Sequence, residues 1–371
     1  MNSNKSKIRI GITQGDINGI GMEVIVKSLA SADILDLFTP VVFADIELLR
    51  NVASELGVED FKAEKVEQGS DIRDGRINVI DIPSGDEART AGKASPQGGK
   101  AAVAALETAS GMMNDGDIDL LVTAPIDKHS AQSEHFRFAG HTEYLEDKFS
   151  GEGGKALMIM ACGNLRVALV TTHLPLAEVP SHITKESVRE ALKNFNLALR
   201  MDFGRERPVI AVLSLNPHNG DSGTLGREEM EEIIPAIEEC KGEGIIAIGP
   251  VAADGFFGSG AYLNCDGVLA MYHDQGLAPF KAIASGGGVN FTAGLDIIRT
   301  SPAHGTAYDI AGHGTADPTS MREALYAAID IARNRDRYLE ASENPLPIKP
   351  QPPRQKKGKD KSADDEETLP E

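Results

Sequence analysis

The sequence predicts an α/β fold: a mostly parallel sheet, covered by helices on both faces and divided into two lobes. Three observations predict it. Short β-rich runs alternate with helical patterns from the first residues onward, which is the signature of a parallel sheet built by crossover helices. A chain of 371 residues with 41% apolar content is long for a single core and suits two. Three strand-like runs, RVALVTT, PVIAVLSLN and DGVLAMY, each lead into a short polar loop that carries one histidine. Such loops gather in the crevice outside the carboxyl ends of the strands in open α/β sheets.

The elements follow in order. Ile8 to Thr13 is a strand, and GDINGIGMEVIVKSLAS is a Gly-rich turn running into a helix. Strand PVVFA, helix DIELLRNVASELG, strand INVIDI, the long helix KAAVAALETASGMMNDG and strand DLLVTAP continue the alternation. A polar stretch with one helix, IDKHSAQSEHFRFAGHTEYLEDKFSG, separates this lobe from strands ALMIMACG and RVALVTT, helix ITKESVREALKNFNLALRMDF, strand VIAVLSLN and helix GREEMEEIIPAIEECKGEG. A Gly-dense stretch from GVLAMY to AGHG precedes a last helix, TSMREALYAAIDIARNRDRYLEAS. The reading divides the chain into a discontinuous first domain, 1–135 with 286–344, and an inserted second domain, 136–285. From residue 345 the composition turns to prolines, then a basic run, then an acidic run, which predicts a disordered charged tail.

The formal net charge of −19 argues against nucleic acid as a partner. It leaves room for a small anion, because a local Lys/Arg pocket can oppose the global field. No run is long enough to span a membrane and no apolar leader precedes the first strand, so a soluble cytoplasmic protein is expected. Cys162, Cys240 and Cys265 are few and unpatterned, as free thiols in a reducing compartment would be, with Cys162 and Cys265 expected in buried packing roles.

The candidate chemistry lies in the loops. His173, His218 and His273 share one strand-end context, and imidazole is the commonest ligand of divalent transition metals. They therefore read either as three metal ligands brought together by the fold or as separate hydrogen-bonded loop residues. His141 and Thr142, in GHTEYL, suit an anionic substrate at a helix start, while Thr142 also reads as a helix N-cap, the favoured reading on residues alone. Lys281, Asn290 and Arg299 lie in apolar, Gly-rich surroundings and suit a phosphate or carboxylate, unless the two cations pair with structural carboxylates. GDINGIGMEV resembles a phosphate-binding turn but matches neither GxGxxG nor a Walker A loop, so it reads first as a tight turn that shapes the site.

HGTAYDIAGHGTADP is similar to the nucleotide-binding loop of the decarboxylating dehydrogenases, the isocitrate and isopropylmalate group. That similarity puts His304 on the adenine side of a dinucleotide and Asp309 at the ribose. Together with TQGDINGIG, TAPIDK, GHTEYL, TTHLPL, LNPHNGDSGTLGREE, GPVAADGFF and YHDQGLAPFK, it makes the chain resemble the PdxA family of pyridoxal phosphate biosynthesis from Ile8 to about Arg337. The resemblance implies an isocitrate-dehydrogenase-like two-domain fold with the active site in the interdomain cleft. It implies a homodimer whose site is shared between subunits, and a divalent ion (zinc, magnesium, manganese or cobalt) on His173, His218 and His273. It places a small phosphorylated hydroxy acid near His141, Thr142, Lys281, Asn290 and Arg299, oxidised by NAD or NADP. Asp274, beside a metal ligand, is the candidate proton acceptor. Departures from the family's usual strings, GDINGIGME for GDPAGIGPE and AIASGGGVNF, put the turn and the substrate pocket in question. The alternative substrates are 4-phospho-threonate and 4-phospho-erythronate. An acyltransferase of similar two-lobe form would need neither metal nor dinucleotide, and the three histidine loops argue against it.

Overall fold

The structure is a computed structural model that describes residues 7–85, 89–134, 136–150 and 155–344. The charged tail expected from residue 345 lies outside the described residues. Twelve strands form one continuous sheet: β1 Arg9–Thr13, β2 Thr39–Ala44, β3 Ala63–Val66, β4 Ile77–Asp81, β5 Leu120–Thr123, β6 Leu157–Cys162, β7 Leu165–Leu169, β8 Val209–Leu213, β9 Ile246–Val251, β10 Gly267–Ala270, β11 Val289–Ala293 and β12 Arg299–Pro302. Their order across the sheet is β3-β4-β2-β1-β5-β12-β11-β6-β7-β10-β8-β9. The pairing is parallel except at the centre, where β11 runs antiparallel to β12 and β6, and β6 to β7. Strands from 1–135 and 286–344 therefore occupy one half of the sheet, and those from 136–285 the other.

Twelve helices are described: α1 Gly21–Leu29, α2 Ile34–Leu37, α3 Ile46–Glu55, α4 Pro96–Asn114, α5 Lys128–Ala131, α6 His141–Phe149, α7 Val179–His182, α8 Lys185–Met201, α9 Ile234–Gly242, α10 Ala253–Gly258, α11 His273–Ala284 and α12 Thr319–Glu343. The long ones carry their start signals in sequence. Asp45 caps α3 by accepting from the Leu48 amide at 3.0 Å. Ser95 caps α4 ahead of Pro96. Thr184 and Ser187 form a reciprocal capping box on α8. Val188, Leu192, Phe195 and Leu199 then put one stripe of α8 into the core.

The sequence reading missed β3, β9, β11, β12 and α11. The pattern of AEKV is that of an edge strand with little to bury. VNFTA and RTSP sit within a Gly-dense stretch whose glycines masked two short buried strands. α11 contains Gly276 and Pro279, both poor in helix interiors, yet Leu277 and Phe280 bury one face of it. All three cysteines are free, and Cys240, rather than Cys162 or Cys265, is the fully buried one.

Candidate active site

Three neighbouring strands bring the histidine segments to one edge. β10 lies between β7 and β8, parallel to both, so residues 170–173, 214–218 and 271–273 all emerge at the carboxyl ends. Two side chains stitch these ends together. The Thr171 hydroxyl donates to the Met271 carbonyl at 2.7 Å. The Gln275 carboxamide accepts from the Met271 amide at 2.7 Å and donates to the Ser214 carbonyl at 2.6 Å.

His173 and His273 meet, with ring centroids 5.8 Å apart. His273 is the first residue of α11 rather than a loop residue. Its Nδ1 lies 2.8 Å from an Asp274 oxygen, and an Nδ1–H donated there leaves the Nε2 lone pair free. Asp274 thus orients a neighbour; its side chain is 86% exposed and does not line the cleft. Lys128 Nζ donates to His173 Nε2 at 3.3 Å. Burial, reinforced by Lys128, pushes the His173 pKa down and keeps that imidazole neutral.

The two rings form one wall of a cleft of about 330 Å³. His141, Thr142, Lys281, Asn290, Arg299 and His304 line the rest of it. His273, Leu277 and Lys281 follow one stripe of α11 at i, i+4 and i+8, which aims Lys281 into the cleft. Thr142 is not the cap of α6. Gly140 holds that position with extended backbone, and no side chain caps the helix. Tyr144 is buried against Phe136 and Phe138, and α6 starts at His141, which puts Thr142 inside the first turn, on the cleft.

Arg299 decides the electrostatics. It is 3% exposed and donates to the Thr123 hydroxyl at 3.1 and 2.6 Å and to the Thr292 hydroxyl at 3.1 Å. Among the described residues no carboxylate lies within ion-pair distance of Arg299 or Lys281, so pairing with structural carboxylates does not account for them. Burial pushes the Arg299 guanidinium down to about 10, with Glu143 the one opposing charge acting on it. Burial, then Arg299, then Lys128, hold the His141 pKa well below the usual imidazole range. His141 Nε2, Asn290 Oδ1 and His304 Nε2 are buried without a hydrogen-bond partner among the described residues. Buried polar atoms are nearly always paired, so these three leave unused hydrogen-bonding capacity on the cleft wall. Lys128 and Glu143 also line the cleft and were not singled out from sequence, although both lie in the TAPIDK and GHTEYL strings.

The GDINGIG turn props the far wall instead of opening into it. Gly15 has φ +68°, and a side chain there would collide with the Pro125 carbonyl and Ala124. Asp16 is fully buried, and accepts from the Asn18 amide at 2.8 Å and from the Tyr308 hydroxyl at 2.8 Å. The Ile20 amide donates to the Thr306 carbonyl at 3.0 Å. The turn thus holds the 304–314 loop. Within that loop His304 faces the cleft, while Asp309 is exposed and outside it.

His218 does not join the other two histidines. Five successive residues, His218 to Ser222, have positive φ, and only Gly220 among them is glycine. This left-handed turn costs roughly 1–2 kcal/mol for an ordinary L-residue and less for Asn and Asp. It carries His218 to the surface, exposed and with no hydrogen-bond partner among the described residues. Among the described residues no three His, Cys, Asp or Glu side chains of the single chain converge on one metal position. The donor set His173 and His273 is chemically suited to a divalent ion but supplies half a site.

The fold is an α/β sheet of two halves, with a cleft lined by two cations and three polar atoms unpartnered among the described residues. The profile of the family described as "Pyridoxal phosphate biosynthetic protein PdxA" matches residues 36–328. A 4-hydroxythreonine-4-phosphate dehydrogenase of Bacteroides thetaiotaomicron is 52% identical over 343 residues, covering 92% of this chain and 93% of that protein. A provisionally named D-threonate 4-phosphate dehydrogenase of Oceanobacillus iheyensis is 40% identical, covering 87% of this chain and 97% of that one. The crystal structure of 4-hydroxythreonine-4-phosphate dehydrogenase from Klebsiella pneumoniae superposes with a TM-score of 0.75 at 32% identity, covering 89% of this chain and 99% of that one. The chain belongs to the PdxA family, and it is an oxidoreductase of the dehydrogenase class. No helix among the described residues is long and apolar enough to cross a membrane.

Proposed function

We propose that this cytoplasmic enzyme oxidises the C3 hydroxyl of 4-phosphooxy-L-threonine, with a nicotinamide dinucleotide, NAD in preference to NADP, accepting the hydride. The product, 2-amino-3-oxo-4-phosphooxybutanoate, loses CO₂ to give 3-amino-2-oxopropyl phosphate. The observation that carries the reading is Arg299: a buried cation with no carboxylate partner among the described residues, in a cleft that also holds Lys281 and three polar atoms unpartnered among those residues. Arg299 and Lys281 neutralise the phosphate and set which carbon faces the nicotinamide. Neutral His141 bonds a remaining substrate oxygen, and Asn290 Oδ1 accepts from the substrate hydroxyl or ammonium group. Asp274 holds His273 in one tautomer. His304 and Asp309 face the adenosine half of the dinucleotide.

A divalent ion held by His173 and His273 of one subunit and His218 of another would acidify the substrate alcohol and fix its oxygen. The homodimer this requires is supported by Leu225, Met230 and Ile234, which are 46%, 39% and 39% exposed close in sequence to the His218 turn. The cleft then lies between two domains, 1–135 with 286–344 and 136–285.

The test is NADH formation by purified enzyme with 4-phosphooxy-L-threonine, 4-phospho-threonate and 4-phospho-erythronate, each with added divalent ion. The expected kcat/KM favours the amino-bearing substrate by at least about tenfold. Oxidation of the amino-free acids alone would replace the substrate assignment. Full turnover after exhaustive chelation would remove the metal from it.

A further inference from the structure

We infer that Glu229 is a positioning residue for His218, holding the left-handed turn that presents this imidazole to the metal site of a second copy. The inference rests on the shared-site reading above. Glu229 opens a π turn, Glu229–Ile233, that runs into α9, and it is 1% exposed. Its carboxylate makes no ion pair among the described residues. Both oxygens instead grip Asn216, the second residue before His218. Oε1 accepts from the Asn216 backbone amide at 2.7 Å and Oε2 from its side-chain amide at 3.0 Å. The same Oε2 lies directly beneath the middle of the turn. A Cβ added at Gly220, which has φ +74°, would stand 2.6 Å from it.

The carboxylate therefore fixes the entry to the turn and fills the space under its centre. Beyond the turn's own helical backbone bonds, the Leu225 amide donates to the Gly220 carbonyl at 3.0 Å and the Thr224 amide to the Asp221 carbonyl at 3.1 Å, which ties down its far end. Four non-glycine residues in the left-handed region persist only when their surroundings over-determine them. Without the Glu229 carboxylate the entry is released, residues 218–222 relax toward right-handed backbone, and the His218 ring leaves its presented position. Glu228 shares the grip on the Asn216 side chain at 2.7 Å but does not reach its backbone amide, so it serves as a control.

The experiment is calorimetric titration of zinc into the metal-stripped full-length protein. E229Q is expected to weaken zinc binding roughly 10–100-fold, the range for partners that orient a ligand. H218A is expected to weaken it at least as much, E228Q little, and the double variant E229Q/H218A no more than H218A alone. A merely structural role for Glu229 would instead add its loss to that of H218A. Wild-type affinity in E229Q alongside loss in H218A overturns the inference. Wild-type affinity in H218A overturns the shared-site reading itself. If circular dichroism shows E229Q unfolded, N216A takes its place. It is expected to speed amide exchange across residues 218–222 and weaken zinc binding, and wild-type behaviour in both measurements counts against the inference.

Discussion

Replacing Arg299 by methionine should separate stability from function, leaving the first nearly unchanged and weakening substrate binding. Burial lowers the guanidinium pKa to about 10, which corresponds to about 3 kcal/mol at ~1.4 kcal/mol per tenfold change in proton affinity. The sign is destabilising. The folded protein binds this proton less tightly than the unfolded chain, and the full cost applies at every pH below about 10. Arg299→Met removes that cost. It also removes the hydrogen bonds to the Thr123 and Thr292 hydroxyls, at about 1 kcal/mol each, and leaves both hydroxyls in an apolar setting. The terms nearly cancel, so thermal unfolding should shift by no more than about 4 °C in either direction. Substrate binding behaves differently. Loss of one charge-assisted bond to the phosphate, roughly 1.5–3 kcal/mol, should weaken binding of 4-phosphooxy-L-threonine by about 10–150-fold. The assay pairs differential scanning fluorimetry with binding of that substrate and of 4-hydroxy-L-threonine, which lacks the phosphate. An equal loss for both ligands, or destabilisation beyond about 4 kcal/mol, would show that Arg299 is a structural cation and refute the phosphate assignment.

Three further outcomes are expected. Asp309 is exposed and free to accept from ribose hydroxyls, and a carboxylate there repels a 2′-phosphate, so the native enzyme should prefer NAD. Asp309→Lys should move the kcat/KM ratio toward NADP, and an unchanged ratio would show that this residue does not read the ribose. His141 stays neutral in the folded state well below the ordinary imidazole range. The unfolded chain therefore takes up a proton that the folded one refuses, and stability falls as pH drops below ~6.5, by up to ~1.4 kcal/mol per pH unit from this group. His141→Asn should flatten that acid limb in urea titrations between pH 6.5 and 5, and an unaltered slope would contradict the assignment. Removing residues 345–371, whose composition offers little to bury, should leave turnover and subunit association unchanged, measured by NADH formation and analytical ultracentrifugation.

Much of the fold was legible because it is written in local periodicity. The buried runs of β1, β2, β5, β7, β8 and β10 and the capped, amphipathic α3, α4 and α8 need only their own residues to declare themselves. The elements that escaped reading are those whose character comes from neighbours. β11 and β12 are buried because β5 and β6 flank them, and α11 is helical despite Gly276 and Pro279 because Leu277 and Phe280 meet the core.

The same division runs through the site. Sequence determined the chemical inventory: imidazoles at strand ends, two cations in apolar surroundings, a Gly-rich loop after β12. Residue type and flanking pattern are local properties, so one chain read alone is enough to show them. Tertiary structure decided which of these act together. His173 and His273 meet because β7 and β10 are hydrogen-bonded neighbours, whereas His218, on the next strand over, is turned outward by five left-handed residues braced on Glu229. Arg299 is uncompensated because Thr123 and Thr292, rather than a carboxylate, surround it on adjacent strands. Strand order and the burial of a charge depend on residues far apart in the chain, 176 apart for Arg299 and Thr123, and no local pattern carries that information.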